Sequence, residues 1–89
     1  MHCDSISITY DVDRWQRILN VQPIPPRRSQ VGCHVPVVAR LVWEHDGEQW
    51  IETTADAWTR QPDFVHVELA DARYRFRGVW LSPKDVGRR

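Results

Sequence analysis

At 89 residues and 10.5 kDa, the chain can build one small core, since a folded protein of this mass exposes roughly 5,400 Å² against roughly 15,000 Å² unfolded. Twelve Lys/Arg cancel twelve Asp/Glu, so no whole-molecule field draws it to nucleic acid or anionic lipid. Its 42% apolar and 27% charged residues exclude a disordered chain. No apolar run approaches the roughly 20 residues of a membrane span, and the N-terminus MHCDSIS lacks the basic-then-apolar pattern of a signal peptide. A soluble cytoplasmic protein with no membrane contact is expected.

Residues 1–34 are heterogeneous. In SISITYDV, Ile6, Ile8 and Tyr10 alternate, which predicts an extra strand able to pair with a sheet edge. Asp11 or Asp13 can cap a short helix, DRWQRILN, whose Trp15, Ile18 and Leu19 share one stripe. Eight residues hold a helix only if that stripe docks. QPIPPRR, Gln22 to Arg28, is expected to be extended, because proline fixes its own φ and pushes its predecessor toward polyproline II.

Residues 35–89 read as a run of strands. VPVVARLVW (Val35 to Trp43) places Val37, Ala39, Leu41 and Trp43 on one face at period two. Asp46-Gly47 is a hairpin signal, since a two-residue primed turn needs positive φ at both central positions. WIETTADAW (Trp50 to Trp58) turns Ile51, Thr53, Ala55 and Ala57 inward and leaves Trp50, Glu52, Thr54, Asp56 and Trp58 outside. After a turn at Gln61-Pro62-Asp63, FVHVEL puts Val65, Val67 and Leu69 in and Phe64, His66 and Glu68 out. After Ala70-Asp71-Ala72, RYRFRGVWL (Arg73 to Leu81) predicts a fourth strand. Tyr74 and Phe76 take one face and Arg73, Arg75 and Arg77 the other, until Gly78 breaks the phase as a bulge or corner. Beyond it Val79 and Leu81 point in and Trp80 out. SPKDV (Ser82 to Val86) suits a 3₁₀ turn.

The fold class is therefore mainly β, a small antiparallel barrel with the N-terminal strand and short helix packed on it. The Asp46-Gly47 hairpin, the Trp43 and Trp50 pair around it and VWLSPKDV give residues 35–86 a pattern that resembles a Src-homology-3-like or Tudor-like small barrel. In that pattern a long first hairpin precedes two shorter strands and a 3₁₀ turn. The resemblance implies a fold and carries no ligand class.

Four constellations bear on function. If the strand phases hold, Trp50, Trp58, Phe64 and Trp80 face outward, to be covered either by a partner or by the N-terminal segment; buried apolar area contributes about 25 cal/mol per Å². Pro23, Pro26 and Arg28 have the PxxPxR spacing of a peptide that docks in an aromatic groove, and can equally be a stiff spacer. Arg73, Arg75 and Arg77, about 6.5–7 Å apart along a strand, could meet successive phosphates with Trp58 or Trp80 stacking on bases. The competing expectation is a salt-bridged face with Glu52, Asp56 and Glu68. Finally, His2-Cys3 and Cys33-His34 mirror each other but lack a C-x₂-C half-site. Two free thiols are expected, with no metal and no cofactor.

No phosphate-cradling loop, nucleophile elbow or HExxH is present, and His66 beside Asp56 or Glu68, with Thr54 near, is the one candidate dyad. The expected function is a non-catalytic module that engages a protein partner, or a second copy of itself, through Trp50, Trp58, Phe64, Trp80, Arg73, Arg75 and Arg77. Nucleic-acid binding by the same face is the alternative.

Overall fold

A computed structural model describes residues 15–89. The strand expected in SISITYDV, the capping aspartates of the helix, and His2 and Cys3 lie outside the described residues. Within them the protein is mainly β, with strands β1 (Val31–Trp43), β2 (Gly47–Thr59), β3 (Phe64–Glu68), β4 (Gly78–Leu81) and β5 (Val86–Arg88). All pair antiparallel in one sheet, in the order β4-β3-β2-β1-β5. Among the described residues no helix is long and apolar enough to cross a membrane.

The core follows from period-two alternation. Val37, Ala39, Leu41 and Trp43 of β1 are all buried, as are Ala55, Val67, Val79 and Leu81 across the sheet. β1 starts at Val31, earlier than Val35, because Val31 and Gly32 still pair with Trp58 and Ala57 across a register shift. The hairpin connection also differs from the expected two-residue turn. Glu44–Asp46 link the paired Trp43 and Gly47, and the left-handed backbone falls at Gly47 alone, φ +79°.

The last connection curls the sheet. Leu81 ends β4 at one edge, and Val86 begins β5 at the opposite edge. Five Cα steps reach at most about 18 Å, and the 3₁₀ turn Pro83–Asp85 shortens that reach. Crossing four strand spacings of a flat sheet would need about 19 Å. The sheet must roll, yet it is not closed into a barrel: no ladder joins β4 to β5. The expected mainly β, antiparallel fold is what the chain forms, its sheet left open where a barrel would close.

A strap of chain spans part of the opening. Ile18 bridges to Trp43 and Val21 to Leu81, with Leu19 N–H donating to Val42 O at 2.7 Å and Gln22 N–H to Trp80 O at 2.8 Å. The expected short helix is absent over residues 15–20. These backbone groups bond to β1 and β4 instead, and so short a helix has little intrinsic stability to compete. Ile18 joins the core. Asn20 fastens the strap: its amide donates to Arg40 O and to the buried Asp85 carboxylate, and its carbonyl accepts Val42 N–H. Asp85 also takes a bond from Arg40, so a carboxylate out of water is matched on both oxygens. The proline segment is extended only to Pro26. Arg27–Ser29 then form a 3₁₀ turn closed by Ser29 on Pro26 O, so Arg28 does not continue a polyproline helix with Pro23 and Pro26, all three being exposed.

Candidate functional site

The surface expected to carry function splits into unlike parts. A register shift between Ala55 and Ala57 inserts Asp56 as an extra residue, and one extra residue exchanges the faces of everything after it. Trp58 consequently pairs with Val65, itself opposite Leu81, and lies on the inward face, where it was expected outside. Phe64, His66 and Trp80 do share the outer face, His66 standing opposite Trp80. Trp80 is nevertheless only 6% exposed, packed on the His66 ring with centroids 5.0 Å apart. Trp50 is exposed at 54%, far along β2 opposite Arg40. The four expected aromatics therefore form no common surface.

The same bulge re-aims Asp56, whose carboxylate meets His66 Nδ1 at 2.6 Å. The His66 ring lies over Gly78, where an added Cβ would run into its Cε1 and fall 2.9 Å from Val67 O. Glycine is required there by close approach, beside its place at the start of β4. Among the described residues no hydroxyl bonds to His66, and its one side-chain hydrogen bond there is to Asp56. No group of three or more His, Cys, Asp or Glu among them could hold a metal. Cys33 is a free, half-buried thiol donating to Ala55 O at 3.5 Å, and burial raises its pKa.

The arginine row is also dispersed. Arg73–Arg77 are not strand; β4 begins only at Gly78. Asp71 captures the chain first: its carboxylate accepts Arg73 N–H at 2.9 Å, and its carbonyl accepts Tyr74 N–H, a local side-chain turn that competes with the ladder. Arg73 then donates two bonds to Asp71 and one each to Asp46 and Gln49, with its guanidinium 4.1 Å from the Trp43 ring centroid. Hydrogen bonds from Arg73 hold the Asp71 pKa below its ordinary value, and bonds from Gln16 and then Arg73 do so for Asp46. Arg75 instead sits beside the Trp15 and Phe76 rings, at 5.3 and 5.0 Å, while Arg77 borders the grooves below. The loop does not present Arg73, Arg75 and Arg77 as a row along one strand face, the arrangement that both the phosphate-reading and the salt-bridged expectations required.

The loop builds a different surface. Tyr74 and Phe76 meet edge-on, centroids 5.7 Å apart, and form a ridge between two grooves. One, of about 360 Å³, is lined by Trp15, Ile18 and Arg75. The other, of about 500 Å³, is lined by Ile24, His66, Trp80 and Arg77. Phe76 is 56% exposed and Trp15 37%. Beyond Arg77 a third cavity of about 580 Å³ is walled by Glu52, Asp56, Glu68 and Asp71. Sequence pattern missed this ridge because Tyr74 and Phe76 alternate with arginines like a strand; the available signal was Asp71 two residues before Arg73, the spacing of a side-chain turn. Comparison of the chain with protein-family models, with curated proteins and with solved structures returns no match, so the geometry of this ridge stands without a relative to interpret it.

Proposed function

We propose that the protein is a non-catalytic interaction module whose docking surface is the Tyr74–Phe76 ridge with its flanking grooves, and whose partner is a second copy of the chain. The observation that supports this most is the exposure of Phe76 on the ridge and of Trp15 in the groove beside it, since large rings left in water beside apolar grooves mark association surfaces on small domains. The surroundings suit a copy of the same surface. Arg75 and Arg77 make no ion pair among the described residues, and neither does Glu68, which with Glu52 lines the adjoining cavity. In a two-fold contact one patch meets itself, and a patch carrying both signs lets cations of one copy face carboxylates of the other.

An open roll of the Src-homology-3 kind is the scaffold this reading assumes. The order β4-β3-β2-β1-β5 and the 3₁₀ turn before the last strand are its support.

The test is sedimentation velocity over about a hundredfold range of concentration, with Phe76→Asp beside the unaltered chain. The expected result is a monomer–dimer equilibrium that Phe76→Asp abolishes while far-ultraviolet circular dichroism is unchanged, because Phe76 lies outside the core. A chain that stays monomeric throughout, or a dimer indifferent to Phe76→Asp, rejects the proposal.

A further inference from the structure

The two grooves beside the ridge differ in charge. Each cavity that Arg77 borders includes a carboxylate, Asp56 or Asp71 among them. The groove of about 360 Å³ has none. Trp15, Ile18, Tyr74 and Phe76 wall it, and its charges are Arg17 and Arg75. The acids in contact with its lining are already matched, Glu44 by Arg17 and Asp46 by Gln16 and Arg73. Arg75 makes no ion pair among the described residues. Its guanidinium lies 5.3 Å from the Trp15 centroid and 5.0 Å from that of Phe76, and a guanidinium held beside rings keeps its N–H groups for an acceptor. Trp15 and Phe76 are both exposed, so ring surface stays open next to the cation.

We propose that this groove binds a small planar aromatic carboxylate, with its ring against Trp15 and Phe76 and its carboxylate on Arg75. Size and polarity agree, since ligand sites are clefts of roughly 300–1,000 Å³, mostly apolar, with a few placed polar groups. Arginine meets a carboxylate through two parallel N–H···O bonds, and aromatic walls favour a flat ring that can stack or meet them edge-on. An alkylammonium ligand, which aromatic walls also attract, is disfavoured by two cations and no lining carboxylate. The site shares Tyr74 and Phe76 with the docking ridge, but it does not rest on the meeting of two copies.

The experiment follows the amide and indole N–H resonances of the isotope-labelled full chain while naphthoate is added, at a protein concentration where the chain sediments as a monomer. A failure to bind and a failure to dimerise are then read separately. The Trp15 indole resonance, identified with Trp15→Phe, should shift and saturate with a Kd on the order of 1 mM or below. Naphthylmethylammonium, with the same rings and the opposite charge, should bind at least about tenfold more weakly, and so should cyclohexanecarboxylate, which lacks the rings. Arg75→Gln should weaken naphthoate binding roughly tenfold, and Arg77→Gln should leave it unchanged. The dispersion of the spectrum shows whether a variant has folded. If Arg75→Gln has not, Arg75→Lys takes its place, keeping the charge and losing the bidentate geometry, with an expected loss of about threefold. An unmoved Trp15 resonance overturns the proposal. Equal binding of the ammonium or the aliphatic ligand overturns it too, as does an equal effect of the Arg75 and Arg77 substitutions.

Discussion

The two ends of the β1–β2 hairpin treat their charges in opposite ways. At the tip, Gln16 accepts His45 and Asp46 N–H groups and donates to Asp46, Arg17 pairs with Glu44, and Arg73 joins Asp46, Asp71 and the Trp43 face. At the open end Arg27, Arg28 and Arg60 make no ion pair among the described residues, and Val31 is 46% exposed. The tip ties three chain segments together: the residues before the strap, the hairpin loop and the β3–β4 loop. The open end joins no segments through ion pairs among the described residues. Charges that meet one another hold a fold in register, while charges that meet only water are available to a partner.

This contrast can be broken from the tip first. Trp43 is buried, donates its indole N–H to Gln49 at 3.0 Å and carries Arg73 on its face, so Trp43→Ala should cost roughly 3–5 kcal/mol, read from the urea midpoint. A loss near 1 kcal/mol would mean that the tip is loosely packed.

Arg73→Ala should cost less, about 1–2 kcal/mol, because its charge-assisted bonds are partly open to solvent. Its pH dependence has a definite sign. Asp71 has a folded pKa below its unfolded value near 3.9; its contribution is therefore present above about pH 4 and is lost as pH falls through the lowered value. Between about pH 5 and 2 the unaltered chain should lose stability faster than Arg73→Ala. Parallel curves would show that Asp71 draws its stabilisation elsewhere.

The smallest effect belongs to the open end. Arg28→Ala/Arg60→Ala should change stability by no more than about 0.5 kcal/mol, measured by the same urea titration. A loss above about 2 kcal/mol would place these arginines among the structural charges and erase the difference between the ends.

Several of these features were legible in the chain itself. Alternation from Val37 to Trp43 announced β1 and its buried face, and Val67, Val79 and Leu81 fell inside as their phase demanded. Asp46-Gly47 marked the hairpin, although the turn uses one left-handed residue, not two. Ser82-Pro83 marked the 3₁₀ turn. The candidate site was much less legible. Trp58 changed faces because Asp56 is one residue too many for its partner strand, and no local pattern announces which residue a strand will leave unpaired. Trp80 took the outer face as expected, yet it is covered by His66, whose ring is admitted by the missing side chain at Gly78. Phe76 was expected on a strand and stands on a loop.

What the sequence determined by itself was therefore local: one mainly β core, the inward face of β1, and the positions of its sharper turns. These depend on neighbours two to four residues apart, through pleat geometry, left-handed backbone at glycine and the fixed φ of proline. Tertiary structure alone decided the strap in place of a helix, the loop in place of a strand and the division of charges between paired and unpaired. The physical reason is that each of those outcomes depends on groups far apart in the chain. Asn20 reaches Asp85, Gln16 reaches Asp46, and Arg73 reaches both the hairpin tip and Trp43; only the rolled sheet brings them within hydrogen-bonding distance.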